Sequence, residues 1–296
     1  MTDPAMRRAL RAAPFIGPHL VLFAVFGLLP GVYGLYIGFT RWNLLGDPQF
    51  VGLDNFHEIL FDTESVFHDQ FVNGLVNTLI FVAVSVPLLI VIPLLLAAGL
   101  SRKDLKGAGF FQGVFYIPGL ISVSAGAIAW VLMFNRELGP LNNLLGTDIS
   151  FITTQPWAWL TIFVLTVWAG IGGNLVIYRS AISAVPRELH EAAQIDGAGT
   201  VRRFLSVTLP SIRFPLLYTM VLTTVGSFNV FGQPMMLTKG GPNSSTKVLM
   251  MNIRDLAFGT GASIAGMAAA MSMLLGVVLM LISAVQFSVM HRGIRG

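Results

Sequence analysis

Six stretches of this 296-residue chain run without Asp, Glu, Lys or Arg: Phe15 to Thr40, Gln70 to Ser101, Gly107 to Asn135, Ile149 to Tyr178, Phe214 to Thr238 and Leu256 to Met290. Each exceeds the roughly 20 residues that a helix needs to cross a hydrocarbon core. Backbone polar groups in lipid must be satisfied internally, and a helix does so within one segment. The pattern predicts an all-α membrane protein of six transmembrane helices, with cores near 15–39, 74–100, 110–134, 157–178, 211–232 and 264–289. One intramembrane domain over 1–296 accommodates them. The short alternating strands of a membrane barrel are absent from the pattern.

Composition supports lipid as the solvent. Apolar residues make up 54% of the chain and charged residues 11%, against about 25% charged in a soluble domain. Mean hydropathy is +0.75. There is no cysteine, which excludes disulfides, thiolate metal sites and a cysteine nucleophile. Thirteen of the 18 Lys and Arg flank the spans on one side: Arg7, Arg8, Arg11, Arg102, Lys103, Lys106, Arg179, Arg187, Arg202, Arg203, Arg213, Arg292 and Arg295. The other side holds Arg41, Arg136, Lys239, Lys247 and Arg254. Basic residues favour the cytoplasm, so both termini and the fourth–fifth connection are expected there. The first apolar run is too long for a cleaved leader and has no small-residue cleavage site, so it is read as helix one.

Smaller features modify this frame. Pro30, Pro87, Pro93 and Pro118 fall in or near spans. Each frees a carbonyl and kinks its helix, either as architecture or as a hinge. Ala262, Gly266 and Ala270, and separately Ser272 and Gly276, are spaced for close helix packing. Gly240-Gly241-Pro242-Asn243 reads as a turn. Leu249, Met250, Ile253, Leu256 and Ala257 then recur as in an amphipathic helix lying at the external surface. Asn243-Ser244-Ser245 is a weak match to a glycosylation sequon.

The segment 180–210 is too polar to cross lipid. Pro186 suits the first turn of a helix, Gly197 its end, and Thr200 the cap of a second short helix leading to Leu209-Pro210. Arg187 and Glu191 are spaced to pair. A cytoplasmic elbow results. Its small residues Ala192, Ala193, Gly197 and Ala198 let another protein approach, and Glu188, Glu191 and Asp196 offer negative charge to basic groups on it. An ordinary solvated loop is the alternative on composition alone.

Glu191-Ala192-Ala193, Asp196-Gly197-Ala198, Phe204, Val207, Leu209-Pro210 and Pro215 resemble the EAA loop of binding-protein-dependent ABC importer permeases. Phe50 to Phe56 (FVGLDNF), Asn77-Thr78-Leu79, Gly139-Pro140-Leu141-Asn142 and Leu237 to Pro242 resemble the carbohydrate branch, in its maltose-permease-like first subunit type. The chain lacks the extra N-terminal helices and large external insert of the maltose permease itself. The resemblance implies a permease subunit in the plasma (inner) membrane of a prokaryote. It implies a second homologous permease, two ABC ATPase subunits and an extracytoplasmic solute-binding protein as partners, with no nucleic acid. It implies that Glu188, Glu191, Ala192, Ala193, Asp196, Gly197, Leu209 and Pro210 couple the ATPase to the pore. No Gly-Lys dipeptide occurs in the chain. A phosphate-cradling loop needs one, so ATP and magnesium are expected on the separate ATPase, with no cofactor and no enzymatic activity here.

Polar residues within spans are expensive and face a cavity or a partner helix. The candidate solute pathway comprises Asn77, Ser227, Phe228, Asn229, Phe231 and Gln233, with Thr78 and Asn174 as secondary candidates. Amides and hydroxyls can bond sugar hydroxyls, and aromatic faces can cover a pyranose. Interhelical hydrogen bonding is the alternative role. Expected solutes are a sugar or sugar derivative (oligosaccharide, amino sugar or similar). Glycerol phosphate or another polar solute carried by the same mechanism is the alternative, mildly disfavoured because the spans contain no Lys or Arg, although a second permease could supply the cation. An ion-coupled secondary transporter is the rival class, although no Asp or Glu falls within the spans. A zinc protease is disfavoured because Gln194 stands where the His190-Glu191 pattern needs a second His.

Overall fold

The computed structural model describes residues 4–102, 105–259 and 264–295. Lys103, Ala262 and the side chains of Arg7, Arg8, Arg11, Arg292 and Arg295 lie outside the described residues. In chain order the helices are α1 (Pro4–Phe23), α2 (Leu29–Gly38), α3 (Asp54–Phe61), α4 (Val66–Leu100), α5 (Ala108–Tyr116), α6 (Val123–Met133), α7 (Pro140–Leu145), α8 (Trp157–Ser183), α9 (Arg187–Ile195), α10 (Thr200–Arg203), α11 (Leu209–Ser211), α12 (Arg213–Phe228), α13 (Gly232–Leu237), α14 (Leu249–Phe258) and α15 (Ala265–Arg295). A two-residue antiparallel ribbon, β1 (Thr40–Arg41) with β2 (Gln49–Phe50), lies between α2 and α3.

Pro14–Gly38, α4, α8 and Ala265–Ser288 are long and apolar enough to cross a membrane. The predicted third and fifth spans are each a bent pair of helices instead of one continuous helix, so the described residues hold four unbroken spans, or six if each bent pair counts as one. Ala108–Leu120 meets Val123–Met133 at 99°, and Thr200–Ser211 meets α12 at 73°. The first break follows from Pro118 in the 3-10 turn Ile117–Leu120. Ile121 then turns extended, and Ser122 caps α6 by accepting from the amide of Ala125. At the second break, Pro210 and Pro215 remove backbone donors on either side of Ile212. The fifth span also stops at Phe228, short of the expected end, and α13 restarts after Phe231.

The chain forms two compact units. One comprises Met1–Phe71 and Asn252–Gly276. Here the amide of Asn55 donates to the carbonyls of Gly38 and Thr40, each at 2.9 Å. It thereby satisfies groups left without partners at the end of α2. Gly38 faces Ala270 and Met273, and Gly266 lies against the Thr40 carbonyl with no room for a side chain. Gly266 and Ala270 are thus a packing seam within this unit, whereas Ser272 is exposed and Gly276 has open space beside it. Asn252 donates to the Gln70 carbonyl at 2.7 Å. The predicted amphipathic helix forms as α14, with Leu249, Met251 and Ile253 buried and Arg254, Asp255 and Phe258 exposed.

The other unit comprises Val72–Met251 and Val277–Gly296. Its core gathers Phe81, Ile162, Leu165, Val230, Leu237, Val248 and Met251. Phe81 stacks on Phe163, which stacks on Trp159. Without water to expel, such contacts act through dispersion and close approach. Gly172 supplies that approach between α5 and α8: a Cβ there would stand 2.6 Å from the Cα of Tyr116. Gly232 does the same for α13 against Val123, at 2.8 Å. Tyr178 and Thr219 join α8 to α12 by a buried hydroxyl pair at 2.6 Å. Arg179 donates to the Gln112 side chain and the Ala108 carbonyl.

Candidate functional site

A cavity of about 590 Å³ lies in the second unit, within the ~300–1,000 Å³ typical of ligand pockets. Helices α4, α8 and α12 and the 229–233 segment wall it. Its polar groups are Thr166, Asn174, Thr223, Ser227, Asn229 and Gln233, and its aromatic ones Phe81 and Phe231. None of its lining residues is charged. Helical spacing explains the set. Thr166, Gly170, Gly173 and Asn174 share one face of α8, and Thr223, Gly226 and Ser227 share one face of α12. Ser227 accepts from Ser85 at 3.3 Å across to α4. Asn174 donates to the Leu89 carbonyl at 2.8 Å and to the Thr223 hydroxyl at 3.1 Å.

Of the six residues singled out for the pathway, Ser227, Asn229, Phe231 and Gln233 come together here. Asn229 returns its amide to the Val225 carbonyl at 2.8 Å and is otherwise exposed. Phe228 is fully buried and outside the lining. Asn77 is also outside it. Its amide donates to the carbonyls of Ser244 and Lys247, at 3.0 and 3.1 Å, and pins that loop to α4. Thr78 accepts from the amide of Leu249. Thr166 and Thr223 were not singled out from the sequence. Their signal was available, since Thr223 stands one turn before Ser227 on the same helix.

The segment after α8 folds as an elbow. Pro186 precedes α9, and Gly197 ends it with φ +76°. The Gly197 amide donates to the Gln194 carbonyl at 3.0 Å, and the Ala198 amide to the Ala193 carbonyl at 2.9 Å. This pair of bonds is a Schellman closure, which needs the left-handed conformation that glycine adopts without strain. Ala193 and Ala198 are half-buried beneath it, while Glu188, Glu191, Ala192 and Asp196 are exposed. Glu188, Glu191, Ala192 and Ile195 lie on one face at helical spacing, and Ile195 is 87% exposed. Two expectations are corrected. No ion pair joins Arg187 to Glu191 among the described residues, both being exposed to solvent that favours separate hydration. Thr200 makes no side-chain cap. Gly199 is the cap position and Thr200 the first helical residue. Arg203 instead ties α10 to the Gln194 side chain at 3.3 Å. Beyond α10 the π-helical segment Phe204–Thr208 leads to half-buried Leu209 and exposed Pro210.

Four long apolar helices and two bent pairs, together with an uncharged cavity in the second unit, indicate a polytopic membrane protein. More closely, the chain belongs to the family described as the inner membrane component of binding-protein-dependent transport systems, matched over residues 63–291. It is a multi-pass inner-membrane permease of the carbohydrate-uptake branch and is non-catalytic, the ATPase being a separate subunit. It is 32% identical over 256 residues to the lactose transport system permease protein LacF of Rhizobium radiobacter, covering 82% of each chain. It is 29% identical over 285 residues to the sn-glycerol-3-phosphate transport system permease protein UgpA of Shigella flexneri, covering 95% of this chain and 94% of that one. Its fold matches a chain of a bacterial alginate ABC transporter, solved in complex with an alginate pentasaccharide-bound periplasmic protein. The TM-score there is 0.82 at 24% identity, covering 95% of this chain and 94% of that one.

Proposed function

We propose that this chain, as one transmembrane domain, forms half of the pathway for an uncharged sugar or sugar derivative delivered by an extracytoplasmic binding protein. The observation that carries the reading is the cavity lining: amides, hydroxyls and two aromatic rings set among aliphatic side chains and glycines, with no charged side chain. Such groups match a ring with polar edges and apolar faces. Ser227, Asn229 and Gln233 contact the solute's hydroxyls, and Phe231 covers a ring face. A second homologous permease completes the pathway.

The elbow docks in a separate ATPase, which carries the ATP and magnesium. Glu188 and Glu191 face basic groups of that subunit, Ile195 fills an apolar pocket, and Gly197 keeps α9 at the angle that transmits motion. Leu209-Pro210 carries the movement into α12. The excess of basic flanks supports placing the elbow and both termini in the cytoplasm. The likeness to UgpA favours a second reading, a glycerol phosphate. It requires a cation from the other permease.

The test is to purify the complete complex and measure ATPase stimulation by its binding protein loaded with neutral sugars or with sn-glycerol-3-phosphate. Stimulation by a neutral sugar supports the first reading. Stimulation by the phosphate alone replaces it with the second. Uptake driven by an ion gradient without ATP would overturn both.

A further inference from the structure

Proline at position 93 lies inside α4 and has no N–H. The carbonyl four residues earlier, that of Leu89, therefore lacks its helical partner. The Asn174 amide supplies one, at 2.8 Å, and gives its second N–H to Thr223 at 3.1 Å. One side chain thus ties α4, α8 and α12 together at the end of the cavity nearer the elbow. The contact is built for. Gly170, one turn earlier on α8, faces Leu89, whose side chain would stand 2.6 Å from a Cβ there. A side chain at 170 would require the Leu89 side chain to move. The other proline in this helix, Pro87, frees the Ala83 carbonyl, to which no side chain among the described residues donates. Ala83 is exposed, whereas Leu89 and Asn174 both line the cavity.

We propose that Asn174 is a latch on a hinge at Pro93, and that it holds the elbow-side end of the cavity closed until α4 changes its bend. The hinge carbonyl is held by a side chain instead of by the helix ladder. Its bond can therefore be exchanged without unwinding α4, which is what a two-state element requires. The Asn174 side-chain oxygen has no hydrogen-bond partner among the described residues, and Asn174 is one of the residues lining the cavity. A solute hydroxyl that donates to it pulls on the same group that holds the hinge. The solute's part in releasing the latch, though not the latch itself, rests on the reading of the cavity as the solute pathway.

Because the chain has no cysteine, a thiol introduced by Gly173→Cys reports on the cavity without background from this subunit. Position 173 lines the cavity and has open space around a Cβ. The measurement is its alkylation rate by a polar maleimide, in the complete complex in nanodiscs with both faces accessible. Asn174→Ala should raise the rate about tenfold, the shift expected when a pair of hydrogen bonds is lost from one of two states. Pro93→Ala on that background should return it toward the parent rate, because residue 93 then donates to Leu89 itself. Thr223→Val, which removes only one of the bonds, should give a smaller rise, and serves if Asn174→Ala does not assemble. An unchanged rate in Asn174→Ala, or a rise that Pro93→Ala leaves in place, overturns the latch. If labelling follows the expectation while uptake of every solute is unaffected, the pathway reading fails and the latch stands.

Discussion

The hydrogen bonds that shape the elbow join residues close in sequence: Gly197 to Gln194, Ala198 to Ala193 and Arg203 to Gln194. Those that shape the cavity wall join distant ones: Asn174 to Leu89, Asn174 to Thr223 and Ser85 to Ser227, 85, 49 and 142 positions apart. The elbow is a local object that presents its functional groups outward. The cavity exists only once α4, α8 and α12 have packed against one another. A contiguous motif can therefore specify the first, while the second depends on which turn of each helix faces its neighbours. The two should also fail differently, the elbow affecting whether transport is driven and the cavity affecting what is carried.

The largest effect is expected from Gly197→Val. A β-branched residue at φ +76° costs at least the ~1–2 kcal/mol of a left-handed backbone and opens the Schellman closure. Uptake by the complete complex should fall about 30- to 100-fold, with no change in the order of preference among solutes. A changed preference order would break the division between the two regions. Next, Ile195→Ala should weaken retention of the ATPase subunit about tenfold in a co-purification titration. That is the loss expected for one well-buried aliphatic anchor, and undiminished retention would remove Ile195 from the docking face. In the cavity, Asn229→Leu should change the ratio of uptake rates between two sugars by about tenfold, leaving ATPase retention at the parent level. The same ratio as the parent for every pair tested would place Asn229 with the packing residues.

The smallest effect concerns a site in neither region. Arg136 and Asp148 form a bidentate pair at 2.8 and 2.6 Å, both ends solvent-exposed. The hydrogen bond from Arg136 holds the Asp148 carboxyl below its ordinary range. A lowered folded value means the contribution is present above the ordinary carboxylate pKa of about 4 and is lost as pH falls below it. Amide exchange in 136–149 should accordingly be unchanged between pH 8 and 6 once corrected for intrinsic rates. It should quicken only below about pH 4, and Asp148→Asn should abolish that acid step.

Charge-free length made the spans legible, because the cost of placing a charge in lipid dominates every local preference. The same criterion could not see the breaks at Ile121 and Ile212. Pro118 and Pro210 signal that a helix is disturbed, but a kink and a break differ in whether the freed groups find other partners. Ser122 supplies the cap that decides the first case. Asn77 and Asn174 show the same limit among side chains. Both are polar residues in apolar runs, yet one donates to a loop 167 and 170 positions away and the other to a proline-freed carbonyl. Hydropathy counts a polar group without saying where its hydrogen bonds go. The elbow was more legible, down to Gly197, because its geometry is set by neighbours in sequence. Its errors were the exposed Arg187–Glu191 pair, which solvent separates, and the cap at Thr200, where the helix begins one residue away from the expected register.

Helix α4 has 35 residues, and at 1.5 Å each it is about 52 Å long. The hydrocarbon layer is about 30 Å thick. Tilt alone would have to approach about 55° to hide the whole helix, beyond the ~40° limit of membrane helices. Several turns must therefore stand clear of the acyl chains. The end bearing His68, Asp69 and Gln70 is the one that tolerates water. The helix is then longer than the layer it crosses, and Asn73 and Asn77, toward that end, fasten the Ser244 loop to it.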